Sequence, residues 1–216
     1  AIVILNASLS IVGTPWRGNL RSEINAATTT QEWIAALFTL CGTELPSIPP
    51  QVCLAIDTPL GFSDAFTRLI TRLDAAGPVR ESCDNLYLFR QTERFLFMQG
   101  LSPLSAVKDM IGSQATKGMH VLARFASQVV DCGVWSDGRY ITAIEAYPSA
   151  CKGSTAIRQL RSHYLPLGHQ DCEDALTCAL LAYLFTRKRG SQAEPDSDVS
   201  RSEGWIWVPR DVLGVA

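Results

Sequence analysis

Short β-branched runs alternate along the chain with longer stretches at helical spacing. Residues Ala1 to Leu5 and Leu9 to Thr14 are rich in Ile, Val and Leu and flank Asn6, Ala7 and Ser8, which predicts an antiparallel hairpin with a tight turn. Thr28 to Thr30 offer N-caps. Trp33, Ile34, Leu37, Phe38 and Leu40 then recur three and four apart up to Gly42, the pattern of an amphipathic helix. After Pro46, Pro49 and Pro50, the apolar run Val52 to Ile56 predicts a buried strand that stops at Asp57, Thr58 and Pro59.

Between residues 62 and 130 the periodicity is helical with interruptions, as in Phe66, Leu69, Ile70 and Leu73 and again in Met119, Leu122, Ala123 and Phe125. That region reads as a helical insertion or layer. Tyr140 to Ala146 alternates, carries Glu145 near its end and stops at Pro148, so it predicts a strand. His169 to Arg189 is the clearest helix in the pattern, with Asp171, Glu173 and Asp174 in its first turns, Arg187, Lys188 and Arg189 in its last, and Gly190 beyond. Residues 191 to 203 form a polar loop. Gly204 to Pro209 then predicts a short strand with Trp205 and Trp207 on one side. No internal repeat is present, and the elements fit one α/β domain over residues 1–216.

Composition sharpens this picture. Hydrophobic residues are 47% and charged residues 19% of the 216, enough apolar material for a core and too little charge for a disordered chain. A formal net charge of −2 excludes a global basic field, so any nucleic-acid contact has to use a local patch. The seven cysteines are odd in number, include no C-x-x-C pair and follow no signal-like leader, which predicts reduced thiols and a cytoplasmic location. The longest apolar stretches fall short of the roughly 20 residues that span a bilayer. Chain position 1 is Ala rather than Met, so the N-terminus reads as processed or truncated.

The acids are the candidate chemistry. Magnesium and manganese take hard oxygen ligands, and a two-metal phosphodiester site needs several carboxylates converging from strand ends and a helix start. Asp171 and Asp174, three apart, lie on adjacent parts of one helical face and are placed to reach a common ion. Their alternative role is helix capping at the positive dipole end. Asp57 follows a strand and is otherwise an Asx-turn acid, whereas Glu145 is otherwise a solvent-facing strand residue or an ion-pair partner. The apolar character of Ala175 to Phe185 on nearly every face buries the helix that carries the pair.

Taken in order, Ile56-Asp57-Thr58-Pro59-Leu60-Gly61, Phe89-Arg90-Gln91-Thr92-Glu93, Glu145-Ala146-Tyr147-Pro148, His169-Gln170-Asp171-Cys172-Glu173-Asp174-Ala175-Leu176 and Glu203-Gly204-Trp205-Ile206 resemble domain of unknown function 429, a family of predicted ribonuclease H-like nucleases. The match covers about residues 50 to 210. The resemblance implies an α/β ribonuclease H-like mixed sheet flanked by helices, with Asp57, Glu145, Asp171 and Asp174 as catalytic metal ligands for Mg²⁺ or Mn²⁺. It also implies metal-dependent hydrolysis of a phosphodiester in a nucleic acid. One departure is plain: such folds carry an acid on their first strand, and Ala1 to Leu5 has none. Either the first strand precedes Ala1 or the chain is a catalytically inactive module that binds nucleic acid or protein. A phosphotransferase acting on small metabolites ranks below both, because glycine-rich phosphate turns are missing.

Other residues carry two readings each. Arg90, with Glu93 and Arg94, is a phosphate contact or part of a surface helix with ion pairs. Lys117, between Thr116 and His120, is a cationic substrate contact or a plain polar loop residue. His169 orients a water near the metal site or bonds backbone at the helix start. Trp205 and Trp207 stack bases or pack in the core. Cys53, Cys132, Cys172 and Cys178 lack zinc-ligand spacing and read as core residues.

Overall fold

The computed structural model describes residues 1–164 and 166–214, with Cys83 described by its backbone alone. Its elements run α1 (Arg21–Ala26), α2 (Thr30–Leu40), β1 (Val52–Ile56), α3 (Asp64–Arg72), α4 (Gln91–Met98), α5 (Gly112–Phe125), β2 (Gln128–Asp131), β3 (Val134–Ser136), β4 (Ile141–Ala146), α6 (Pro148–Cys151), α7 (Thr155–Arg161), α8 (Gln170–Arg187) and β5 (Ile206–Trp207). They form a mixed sheet flanked by helices. β4 pairs in parallel with β1 and, at its far end, with β5, while β3 and β2 continue antiparallel. No helix among the described residues is long and apolar enough to cross a membrane.

Strand parity sorts the core into two layers. In β1, Val52, Leu54 and Ile56 face one way, and with Ile141, Ala143 and Trp135 they pack against Trp33, Ile34, Leu37 and Phe38 of α2 and Val121, Leu122 and Phe125 of α5. Cys53 and Ala55 face the other way, and with Ile144 and Ala146 they meet Cys178, Leu181 and Phe185 of α8. A third cluster sets Leu176, Leu180 and Leu184 on the flank of α8 against Ile157 of α7 and against Val3, Leu5 and Leu9. α8 is therefore buried on most of its circumference, as its all-round apolar sequence requires.

Several sequence expectations change in detail. β1 is half-buried at all five positions rather than fully buried, because among the described residues it pairs with β4 alone and lies at the edge of the sheet. The N-terminal segments do pair antiparallel, through Leu5 with Ile11 and Ile2 with Trp16, but as isolated bridges outside the main sheet. The Asn6 side chain closes that turn by accepting from the N–H groups of Ser8 and Ser10 at 3.0 and 2.9 Å. The helical stretch holds α3, α4 and α5 but ends in β2, which begins at Gln128. β2 and β3 turn back through Gly133, whose φ of +67° suits glycine and whose α-carbon faces the backbone of Trp205.

The polar loop is tied down at both ends. Ala193 donates to Val208 O at 2.8 Å, and Ser200 donates to the Gln91 side chain at 3.1 Å. Both tryptophans of the last strand region are core residues: Trp205 is 2% and Trp207 0% exposed, with their indole N–H groups bonded to Ala193 O and Gly133 O. Neither ring face is open to a base.

Candidate functional site

The parallel pair β1 and β4 sends two acids to the same end of the sheet, and the N-terminus of α8 packs beside them. Asp57 is the first residue beyond β1. By strand alternation it continues the face of Cys53 and Ala55, toward α8. Asp174 lies in the second turn of α8, on that same side. Asp57 is accessible to solvent, yet it takes no hydrogen bond or ion pair among the described residues. Surrounding protein desolvates it, and Asp174 and then Glu145 repel its charge. Together they push its pKa from 3.8 up to about 6, against the pull of Lys152.

Asp174 is engaged. Lys152, just past α6, forms an ion pair with it, and the Gln170 side chain donates to the same oxygen at 3.0 Å. Asp171 points to a different partner: Arg17, in the loop ahead of α1, donates its Nε at 2.5 Å. That hydrogen bond is the main reason the Asp171 carboxyl sits below its ordinary range. The two acids of the helix start thus reach separate cations, and neither Arg17 nor Lys152 stands out in sequence by spacing or motif.

Glu145 lies on the opposite face. It pairs in register with Ile56, so its side chain shares the Ile56 side of the sheet and turns away from Asp57. It is 2% exposed, and its oxygens accept from Leu60 N–H at 2.8 Å and from both terminal nitrogens of Arg90 at 2.8 and 2.6 Å. The expected convergence of Asp57, Glu145, Asp171 and Asp174 on one ion is therefore not what the fold arranges. Among the described residues no three acids, histidines or cysteines converge as a metal-holding group.

Arg90 departs from both of its sequence readings. It is 1% exposed, and every donor of its guanidinium is used: Nε on Glu93, Nη1 on Glu145 and on Glu203 O, Nη2 on Glu145 and beside Glu93 at 2.8 Å. A phosphate has no donor left to meet. Burial pulls the guanidinium pKa down, but Glu145 and Glu93 outweigh it and hold Arg90 charged. Burial also pushes the Glu93 carboxyl up, with Arg90 opposing. Glu203 closes the cluster by accepting from Asp64 N–H at 2.8 Å and Gln91 N–H at 2.6 Å, which caps the starts of α3 and α4. The motif Phe89 to Glu93 and the acid at Glu203 are thus joined in three dimensions, although nothing in their spacing along the chain pairs them.

His169 is the N-cap of α8, and its Nδ1 accepts from Asp171 N–H at 3.0 Å, the backbone role of its two readings. Lys117 is exposed on α5 and lines a separate cavity. Beneath Asp57 the thiols of Cys53 and Cys151 are pushed up to about 12 by burial, and that of Cys178 well above its ordinary value, so all three are neutral neighbours.

What remains is a carboxylate with a raised pKa, Asp57, and on the same side of the sheet a second carboxylate, Asp174; among the described residues the first has no ion pair and the second has Lys152 as its cation. Two hard oxygen donors on one side of the sheet fit a divalent ion in kind, although the number of protein ligands is below the full expected set. No family model matches the chain, nor does any curated protein or solved structure.

Proposed function

We propose that the chain is a ribonuclease H-like, Mg²⁺- or Mn²⁺-dependent hydrolase of nucleic-acid phosphodiester bonds, with its reaction centre at Asp57 and Asp174. The observation that carries this reading is the placement of Asp57, at the end of β1, on the α8 side of the sheet that also carries Asp174; burial and then the Asp174 charge raise the Asp57 pKa there. The mixed sheet with acids at the ends of β1 and β4 and helices on both faces supports the fold half of the proposal.

In this reading Asp57 and Asp174 would hold the ion, with Asp171 within one turn of helix of Asp174. A divalent ion there would lower the pKa of a bound water and neutralise charge developing on the phosphodiester oxygens. The protein's own part is positional. Glu145 binds Leu60 N–H and thereby fixes the turn that carries Asp57, and Arg90 holds Glu145 in place. Lys152 pairs with Asp174 and would have to give way to the ion. Glu145 is thus proposed as a positioning residue, not a ligand. The free state of the six described cysteines supports a reducing, cytoplasmic setting.

The test is cleavage of branched, double- and single-stranded nucleic acids with Mg²⁺ or Mn²⁺, comparing the parent chain with Asp57→Asn and Asp174→Asn. Loss in both variants supports the proposal, and equal activity in Asp174→Asn removes that residue from the mechanism. A second reading, a catalytically inactive ribonuclease H-like module, is favoured by one observation: Lys152 already supplies Asp174 with a cation. It predicts no metal-dependent cleavage by the parent chain on any of these substrates.

A further inference from the structure

A cavity of about 280 Å³ opens between α1 and α5, lined by Arg21 and Asn25 from the first helix and by Ser113, Thr116, Lys117 and His120 from the second. Liquid water occupies about 30 Å³ per molecule, so a hydrated phosphate-sized group fits with room to spare. The polar lining is one-sided: two permanent cations, a histidine, two hydroxyls and an amide, with no carboxylate. In a chain of net charge −2 this is a local reversal of sign.

The gathering is a product of the fold. Ser113, Thr116, Lys117 and His120 recur at three, four and seven residues and so share one face of α5, against which α1 brings Arg21. Arg21, Lys117 and His120 are all exposed, and among the described residues none of them takes part in an ion pair. Cations drawn together without a counter-charge repel one another, and an anion bound between them removes that cost.

The cavity also has a fixed relation to the carboxylates. Gly118 follows Lys117, and a β-carbon on it would stand 2.6 Å from Thr58 Cγ2 and 2.7 Å from Leu60 Cδ2. α5, which lines the cavity, is therefore seated directly on the turn that begins at Asp57.

We propose that this cavity is a second phosphate subsite, which takes a neighbouring backbone phosphate of the single nucleic-acid strand whose reacting phosphodiester lies at Asp57 and Asp174. The inference rests on the nuclease reading for the position of the reacting bond. A polymer with a phosphate at every residue can meet both sites at once, which a free phosphate cannot.

The experiment is fluorescence anisotropy of a labelled single-stranded oligonucleotide titrated with the full chain in EDTA, where no cleavage occurs. The proteins are the parent, Arg21→Glu with Lys117→Glu, and Asp57→Asn, each checked for native circular dichroism. The double reversal is expected to weaken binding by more than about tenfold and to reduce the salt slope by about 0.7, the share of one phosphate contact to a single strand. Asp57→Asn is expected to bind at least as tightly as the parent. No binding by the parent, or double-reversal binding within about twofold of it, overturns the subsite. Full competition by inorganic phosphate at the same phosphate concentration also overturns it, in favour of a small-anion site. Binding without metal-dependent cleavage keeps the subsite and removes the nuclease reading, whereas cleavage with unaltered binding by the double reversal does the opposite.

Discussion

Arg90 and Glu145, 55 residues apart in sequence, form a two-pronged ion pair closed to solvent: Nη1 to Oε2 at 2.8 Å and Nη2 to Oε1 at 2.6 Å. The pair joins the start of α4 to the end of β4. Through Leu60 N–H and Glu203 O it also reaches the turn after Asp57 and the approach to β5.

Among the described residues, removing Arg90 leaves Glu145 and Glu93 in the core without a cation, and removing Glu145 leaves the buried Arg90 with Glu93 as its one carboxylate. Arg90→Met or Glu145→Ala is expected to cost about 3–5 kcal/mol of folding stability, the range for breaking a buried pair from one side. Urea denaturation measures it, and a loss below about 1 kcal/mol would show that water or local rearrangement compensates.

The raised Asp57 pKa has a definite sign in stability. With a folded value of about 6 against an ordinary 3.8, the native state holds more protons than the unfolded chain between those limits, so stability falls as pH rises through that window. Asp57→Asn removes the charge that causes the fall. The variant is expected to unfold at higher urea than the parent at pH 7.5 and at nearly the same urea at pH 3. The same midpoint shift at both pH values would sink the assignment.

Lys152 lowers the Asp57 pKa and pairs with Asp174, so Lys152→Met acts on both acids. Asp57 is expected to titrate above about 6 in this variant, read by carboxyl carbon chemical shifts. Mn²⁺ binding at pH 8, followed by calorimetry, is expected to tighten, because the competing ammonium is gone. Weaker Mn²⁺ binding would instead make Lys152 a support for the site.

Asp171 and Arg17 are both about half exposed, which sets their ion pair apart from the buried one. Arg17→Ala is expected to leave the urea unfolding midpoint nearly unchanged. It also releases Asp171, whose carboxyl should move back up toward its ordinary range. An unmoved Asp171 titration would mean that another group, such as His169, holds it down.

At Gly133 a β-carbon would lie 2.5 to 2.7 Å from Trp205, including its backbone N and O, at a φ of +67°. Gly133→Ala is expected to destabilise by more than about 1 kcal/mol. Thermal unfolding checks this, and a neutral result would mean that the β2–β3 turn and the loop before β5 move apart at little cost.

Local pattern was enough to reveal much of this protein: the helical spacing of Trp33 to Leu40, the apolar run of β1, the alternation of β4 and the all-round apolar surface of α8. Such features follow from which face a residue presents, and neighbours along the chain decide that. Asp57 and Asp174 were legible for the same reason, since each stands where an element begins or ends. Partnership was not legible. Whether Glu145 faces Asp57 or Arg90 depends on the register of β4 against β1, and one residue of parity puts it on the far side of the sheet. The cations that meet Asp171 and Asp174 come from Arg17 and Lys152, and the basic cavity draws Arg21 to Lys117 across two helices. Charges pair across space at distances of a few Å, whatever their separation in sequence, so only the tertiary structure decided which acids are neutralised and which, like Asp57, have no partner among the described residues.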